Sequence, residues 1–282
     1  MIRTRDRGGR IGHRWRSRWL WLAVPVVLLV AGAFVMLVLL RDAADPVSVD
    51  DAVTRYRDEA AGAADGDDRA VVGDPPPPGV YVYATDGSEG VDALGGSEHA
   101  YPAETTVTVG VGDDDCLTMR WAPLVQRWDE EVLCPEAGGG WSRRETVVHH
   151  SFFNQDETRS STCDAPGVVP SPDDDGAISW TCSSEGSGHS GESHQDGHGE
   201  VIGVEPVMVG DVERRTLHVR YESEISGETS GSDTVDRWYA LDRFPLVVRE
   251  VKDESTSSET VIGTVRYHES YELVLTSWEP RR

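Results

Sequence analysis

The chain is poor in lysine: Lys252 is its only one, against 25 arginines and 50 acidic residues among 282. This scarcity leaves almost no candidate for a Schiff-base or general-base lysine, and we interpret it as a GC-rich coding bias and not as chemistry. Cysteine is also scarce, and the four present lack the C-x₂₋₄-C spacing of structural zinc sites. None stands directly after the apolar run near the N-terminus, which argues against a lipid-modified terminus.

Recognisable catalytic motifs are missing too. Gly188–Gly191 fails the G-x-S-x-G pattern because Glu192 replaces the last glycine. His268–Glu272 begins like a zinc-protease helix but ends in glutamate and falls in a predicted strand. The Asp-rich turns Asp113–Asp115 and Asp173–Asp175 do not match the EF-hand loop. We therefore predict that the protein is not an enzyme and has no catalytic residue, cofactor or metal ligand.

Histidines are concentrated in the low-complexity segment Ser183–Gly199, which we predict to be a mobile loop. His189, His194 and His198 have spacings that suit copper, nickel or zinc. Because glycine and serine dominate the segment, we favour a solvated linker, with weak metal binding as the alternative. The adjacent pair His149-His150 lies in a predicted strand, so the two rings point to opposite faces and cannot form one ligand pair.

What the chain does have is an uncharged run of 22 residues, WLWLAVPVVLLVAGAFVMLVLL, at positions 19–40. As a helix it would be roughly 33 Å long, enough to cross a hydrocarbon core of about 30 Å. Seven arginines precede it and predict a cytoplasmic tail at residues 1–18. A cleaved signal peptide, the alternative, would have a shorter apolar region ending in small residues. We expect a single-pass signal anchor in the cell membrane, with the rest of the chain extracytoplasmic.

The part beyond residue 40 is strongly acidic. Residues 1–40 hold seven of the 26 basic and one of the 50 acidic residues, which leaves 19 basic and 49 acidic ones and a net charge of −30. Nucleic-acid binding depends on Lys and Arg neutralising phosphates, so this charge argues against a nucleic-acid partner. The lipid bilayer itself, through residues 19–40, is the one partner that the sequence predicts directly.

The four cysteines all lie in the part expected outside the cytoplasm, where disulfides persist. They allow three pairings. We favour Cys116–Cys134 with Cys163–Cys182, because each pair is adjacent in sequence and can close over one or two strands.

Residues 41–78 have the composition of a stalk. Ser48 is a helix N-cap candidate with Asp51 at the third position, and apolar residues then recur at helical spacing. We predict a short amphipathic helix over about residues 47–60. The run Pro75–Pro78 predicts a stiff polyproline spacer before the folded part.

From residue 79 to residue 282 the pattern is β. Leu217, Val219 and Tyr221 alternate with polar residues, and Val265 to Leu275 does the same over a long last strand. Such alternation with short turns indicates antiparallel strands with one face buried. We predict a mainly β domain of about ten strands, either a strongly curved antiparallel sheet or half-barrel with the short helix in its concave side, or a β-sandwich.

Large aromatic residues recur along these strands. They are either core residues or the lining of a concave face that could hold an acyl chain. The candidates for lining a ligand cavity are Trp121, Trp180, Trp238, Tyr221, Tyr267 and Tyr271.

The segment Thr234–Val251, TVDRWYALDRFPLVVREV, followed by a polar hairpin and a long strand ending at Ser277, resembles the C-terminal sheet of LolA-like half-barrels. These include lipoprotein carriers, LppX/LprG-type envelope lipoproteins and RseB-type periplasmic sensors. In them a strand bearing a tryptophan turns through a proline, as Trp238 and Pro245 would here. With its four cysteines and the W-x-P-L-x-x-R-W stretch at Trp121–Trp128, the whole chain also resembles actinobacterial single-pass envelope proteins. A transmembrane helix in place of a lipidated cysteine departs from the lipoprotein pattern, so the resemblance supports fold more than transport.

Together these features predict a membrane-anchored extracytoplasmic module that binds or senses a lipid, a lipoprotein or an envelope protein. The alternative is a non-catalytic cell-envelope scaffold that works through a membrane partner. A cavity of several hundred Å³ would favour the first hypothesis, and a filled core would favour the second.

Overall fold

The computed structural model describes residues 25, 28–30, 32, 43–62, 75–172, 177–187, 191–260 and 263–282. The chain forms two compact units, Met1–Ala43 and Ala44–Arg282. The predicted tail 1–18, nearly all of the apolar run 19–40 and the stalk residues 63–74 lie outside the described part. Among the residues described, no helix is both long and apolar enough to cross a membrane.

The second unit contains one helix, α1 (Val49–Gly62), and thirteen strands within its described residues. Short 3₁₀ turns occur at Ala93–Gly95 and Asp113–Asp115. The strands are β1 (Gly79–Val91), β2 (Ser97–Ala100), β3 (Glu104–Val111), β4 (Leu117–Leu124), β5 (Arg127–Pro135), β6 (Trp141–Phe152), β7 (Gln155–Val169), β8 (Ile178–Gly186), β9 (Ser193–Val209), β10 (Val212–Gly227), β11 (Thr229–Ala240), β12 (Val247–Thr260) and β13 (Gly263–Leu275).

The strands form one closed antiparallel barrel. From β3 to β13 each strand pairs with its neighbour in sequence, and β1 pairs with β3 on one side and β13 on the other. This closes a 12-stranded barrel, while β2 folds back along the far half of β1. The prediction of a mainly β antiparallel fold is confirmed. The sheet is not open, however, and the described strands form no second sheet of a sandwich, because β1 and β13 exchange hydrogen bonds.

Alternation of residues decides which side chains enter the barrel. In β10, Leu217, Val219 and Tyr221 point inward, and in β13 the same is true of Tyr271 and Leu273, as the pattern predicts. The barrel end where β1 begins is packed with apolar and tyrosine side chains and so forms a solid base. This base includes Tyr81, Tyr83, Leu117, Leu133, Trp141, Leu217, Tyr239, Leu246 and Leu275.

Helix α1 lies on the outer face of the barrel. Ser48 caps it: Ser48 Oγ accepts a hydrogen bond from Asp51 N at 3.1 Å and donates one to Asp51 Oδ2 at 2.6 Å. Val53 packs with Val80 and Val82, the outward-facing residues of β1. The predicted helix is therefore confirmed, but its place in the concave side is wrong, because its apolar stripe covers the outside of β1.

Part of the segment that the sequence predicts to be a mobile loop forms strands. Within Ser183–Gly199, β8 continues to Gly186 and β9 begins at Ser193. Strand β7 likewise extends to Val169, into a Pro- and Asp-rich stretch. The loop prediction is wrong for this part, because cross-strand pairing overrides the low strand propensity of glycine and serine. His189 and Asp173–Asp175 lie outside the described residues.

Both predicted disulfides are present. Cys116 pairs with Cys134, and Cys163 pairs with Cys182. Cys163 and Cys182 lie directly opposite each other on β7 and β8, so this bond joins two neighbouring strands.

We expect the double variant Cys163→Ala/Cys182→Ala to lose about 3 kcal/mol of unfolding free energy, since the disulfide restricts the unfolded chain. Urea unfolding of the oxidised protein measures the loss. The control is Ser161→Ala/Ser184→Ala, which removes a side-chain hydrogen bond between the same two strands and should cost about 1 kcal/mol. Equal losses in the two variants would contradict a stabilising role for the disulfide.

Candidate functional site

The interior of the barrel beyond the solid base is hollow. It holds a cavity of about 350 Å³ whose lining extends to residues near the opposite strand ends, such as Thr260 and Val265. Five of the six aromatic residues predicted to line a cavity do so. They are Trp121, Trp180, Tyr221, Tyr267 and Tyr271.

The sixth candidate, Trp238, lies on the outer face of β11 and does not line the cavity. Its ring stacks on His218 with 4.0 Å between centroids, and its Nε1 donates to Glu205 Oε2 at 2.9 Å. The prediction fails because alternation in β11 sends Arg237 and Tyr239 inward and Trp238 outward.

Glycine makes room for the aromatic wall. Trp180 on β8 lies opposite Gly197 on β9, and a Cβ placed on Gly197 would lie 2.0 Å from an indole carbon. Gly199 in the same way approaches Tyr221 and Ile178. Two of the glycines in this low-complexity segment, Gly197 and Gly199, are therefore places where aromatic rings cover the backbone.

Hydrogen bonds hold the tyrosine rings in fixed positions. Tyr221 Oη donates to the carbonyl oxygen of Val168 at 2.8 Å, and Tyr271 Oη donates to Glu250 Oε1 at 2.6 Å. Burial raises the pKa of both phenols well above the usual value. Both remain neutral donors, which gives the cavity rigid walls.

Four carboxylates cross this interior in one row, which we call the acidic ladder. Asp233, Glu254, Glu269 and Glu89 lie directly opposite one another on β11, β12, β13 and β1. Like charges at opposed positions repel, and burial strengthens the repulsion. The acidic ladder therefore requires cations beside it.

Two of those cations meet at Glu269, which is about 1 % exposed. Arg127 Nε donates to it at 2.8 Å and Lys252 Nζ at 2.6 Å. Burial alone would raise the pKa of Glu269, but Arg127 and Lys252 outweigh it and hold the pKa well below the usual range. Lys252 also bonds Glu254 at 2.7 Å. The only lysine of the chain thus neutralises two rungs of the acidic ladder.

Two histidines contact Glu89, the fourth carboxylate of the acidic ladder. His150 Nδ1 lies 2.9 Å and His99 Nδ1 3.2 Å from its oxygens. Burial opposes ionisation of Glu89, but these hydrogen bonds lower its pKa below the usual value. As predicted, the adjacent His149 points the other way, where it stacks on Trp128.

A second charged group lies deeper in the barrel. Arg237 donates to Glu250 at 2.6 Å and to Glu131 at 3.1 Å. Burial would raise the pKa of Glu131, but Arg237 and then Arg143 hold it below its usual value. Sequence reasoning missed both charged groups, although alternation puts Glu250, Lys252 and Glu254 on one face of β12.

Metal ligands do not converge in the described part of the chain. No group of three or more His, Cys, Asp or Glu side chains there is arranged to hold a metal ion. His194 and His198 lie on β9 with exposed side chains. His268, of the protease-like segment, is exposed on the outer face of β13.

Comparison with known proteins gives no relative: no family model, no curated protein and no solved structure matches the chain. Fold and site alone therefore define its class, a closed antiparallel meander barrel with a charged, aromatic-lined cavity. The similarity to LolA-like half-barrels stays a prediction.

Replacing Glu269 by glutamine should destabilise the protein by about 3–5 kcal/mol, because Arg127 and Lys252 would lose a buried counter-charge. Denaturant unfolding measures it. Glu272→Gln, on the outer face of the same strand beside Arg249, should cost less than about 1 kcal/mol. Equal effects would contradict the central role of Glu269.

The destabilisation caused by Glu269→Gln should depend on pH. The depressed pKa of Glu269 means that its stabilisation is fully present above the unfolded pKa, about 4.3, and is lost as the pH falls toward the folded pKa. The difference between wild type and Glu269→Gln should stay constant from neutral pH to about pH 5 and shrink only below about pH 4. A difference that vanishes by pH 6 would contradict this assignment.

Gly197→Ala should destabilise the protein by about 1–3 kcal/mol through overpacking against Trp180, and should shift the tryptophan emission spectrum. Gly110→Ala is the matched control in β3, since its nearest heavy atom would be 4.0 Å away. A tolerated Gly197→Ala would show that Trp180 does not lie over this glycine.

Proposed function

We propose that the protein is a membrane-anchored extracytoplasmic binding protein whose barrel cavity holds a small amphipathic ligand. The observation that carries the proposal is the 350 Å³ cavity with fixed aromatic walls inside a closed barrel. Ligand pockets of proteins typically enclose about 300–1,000 Å³ and combine aromatic walls with a few placed polar groups. A scaffold without a ligand needs no such hollow interior.

The proposed anchor is the uncharged run at residues 19–40, with the arginine-rich tail in the cytoplasm. Two disulfides in the barrel support an oxidising compartment, because such bonds rarely persist in the cytosol.

The charges of the interior favour a short ligand over a long acyl chain. A chain extending through the cavity would pass the acidic ladder, where burial of apolar groups against ionised carboxylates is costly. Among lipids and lipoproteins, the proposed ligand is therefore a small lipid-like molecule or a short-chain lipid whose polar part meets the charged groups.

A partner protein of the envelope remains the second candidate. It is favoured by apolar side chains that are exposed on β9 and at the start of β10. These are Ile202, Val204, Met208 and Val212, each at least 43 % exposed. In this alternative the barrel is a scaffold and its outer surface is the functional one. Enzymatic activity is not part of either proposal.

Native mass spectrometry of the full chain, purified from a related host, tests the proposal. We expect a discrete extra mass that organic extraction removes. Val148→Trp, which puts an indole into the cavity lining, should abolish it. Val147→Trp, on the opposite face of the same strand, should retain it. A bare mass for the wild type, with no uptake of added lipid, would contradict the binding function and favour the scaffold.

A further inference from the structure

Three donor atoms on side chains that line the cavity are buried and have no hydrogen-bond partner among the described residues. They are Trp180 Nε1, Arg143 Nε and Arg159 Nε. Trp180 is only 5 % exposed, so its N–H has almost no access to bulk solvent. Leaving a buried donor unpaired costs about 1–3 kcal/mol, and native proteins rarely carry such groups without a purpose.

Two of these donors lie close together. Arg143 on β6 lies opposite Ala165 on β7. The guanidinium carbon of Arg143 lies 5.9 Å from the centre of the Trp180 ring. Arg159 is six positions before Ala165 on β7, nearer the other barrel end. Trp180 and Arg143 therefore form one donor pair, and Arg159 is separate from it.

Arg143 is also the cavity cation least engaged by carboxylates. Arg237 donates hydrogen bonds to Glu250 at 2.6 Å and to Glu131 at 3.1 Å. Lys252 forms ion pairs with Glu254 at 2.7 Å and with Glu269 at 2.6 Å. Arg143 has only Glu131, whose Oε2 is 3.6 Å from Nε, too long for a hydrogen bond. Glu131 in turn is already held by Arg237.

The carboxylates that line the cavity do not cancel this site. Glu131 and Glu250 are bonded to Arg237, and Glu254 to Lys252. Three other lining carboxylates also have cationic partners: Asp129 pairs with Arg127, Glu130 with Arg120 and Glu157 with Arg159. Burial, and then the charge of Glu254, raises the pKa of Asp233, which moves this rung toward its neutral form. Beside Trp180, the positive group with an unpaired donor is Arg143.

From this geometry we infer that the cavity binds a small carboxylate with an apolar or aromatic body, its anionic oxygens on Trp180 Nε1 and Arg143. The body lies against the aromatic wall of Trp121, Tyr221 and Tyr271. This inference rests on the proposed binding function and names the chemistry of its ligand. A carboxylate can accept hydrogen bonds from both unpaired donors, Trp180 Nε1 and Arg143 Nε, whereas a purely apolar ligand would leave them unpaired.

Two probes of nearly equal shape test it: 1-naphthaleneacetate and its neutral amide, 1-naphthaleneacetamide. Each is titrated by calorimetry into the full chain in phosphatidylcholine nanodiscs, with protein-free nanodiscs as the blank. We expect the carboxylate to bind about tenfold more tightly, since hydrogen bonds to charged groups are the stronger ones.

Matched variants test which residues cause the preference for the carboxylate. Arg143→Gln should remove the preference for the carboxylate, and Arg143→Lys should keep part of it. Arg144→Gln, the exposed neighbour, should leave it unchanged. Trp180→Phe keeps a ring but loses the N–H and should weaken carboxylate binding, while Trp128→Phe on the outer face should not.

The outcomes distinguish failure of the carboxylate site from failure of the binding function. Equal binding of both probes, or a preference that survives Arg143→Gln, overturns the carboxylate site and leaves a binding cavity in place. Binding of neither probe overturns the carboxylate site, and together with a bare native mass it overturns the binding function as well.

Discussion

The pairing of the first strand with the last determines most of what is distinctive in this protein. Nine residues of β1, Tyr83 to Val91, lie opposite β13. This seam closes the barrel by giving β1 and β13 a strand neighbour on each side. It also places Glu89 directly beside Glu269, so that the acidic ladder runs across the seam. Closure of the sheet and burial of Glu89 and Glu269 are thus one structural event, and Arg127 and Lys252 supply the counter-charges at Glu269.

The charges explain why the barrel is hollow. Its base is filled by apolar and tyrosine side chains, as in an ordinary core. Beyond the base, charged side chains must keep their partners at hydrogen-bond distance and cannot collapse into free space without leaving a charge unpaired. Rigid tyrosines and the indole over Gly197 complete the walls. A cavity maintained in this way is already shaped for a ligand before binding, which lowers the cost of ordering groups around it.

Local features were predictable from the sequence, and long-range ones were not. Alternation in β10 and β13, the Ser48 cap of α1 and the sequential disulfides all depend on residues close in the chain. The pairing of β1 with β13 joins segments almost 200 positions apart, so no periodicity in the sequence predicts that the barrel closes. The prediction for Trp238 is wrong, although the alternation of residues in β11 already indicates that its side chain points outward. The sequence alone indicates no role for Lys252 beyond composition, because its ion pair with Glu269 becomes visible only when β12 and β13 are aligned. Within Ser183–Gly199 the loop prediction is wrong for the parts in β8 and β9, where Gly197 and Gly199 pack against aromatic rings.

The closed seam is tested most directly by cross-linking. Ser88 and Ser270 lie opposite each other on β1 and β13. In oxidised protein carrying Ser88→Cys and Ser270→Cys, peptide mapping by mass spectrometry should find these two cysteines joined, with both native disulfides intact. The pair Ser88→Cys and Ser255→Cys, with Ser255 one strand further away on β12, should stay unlinked. Failure of the first pair to join, or equal joining in both, would contradict a closed barrel and with it the cavity.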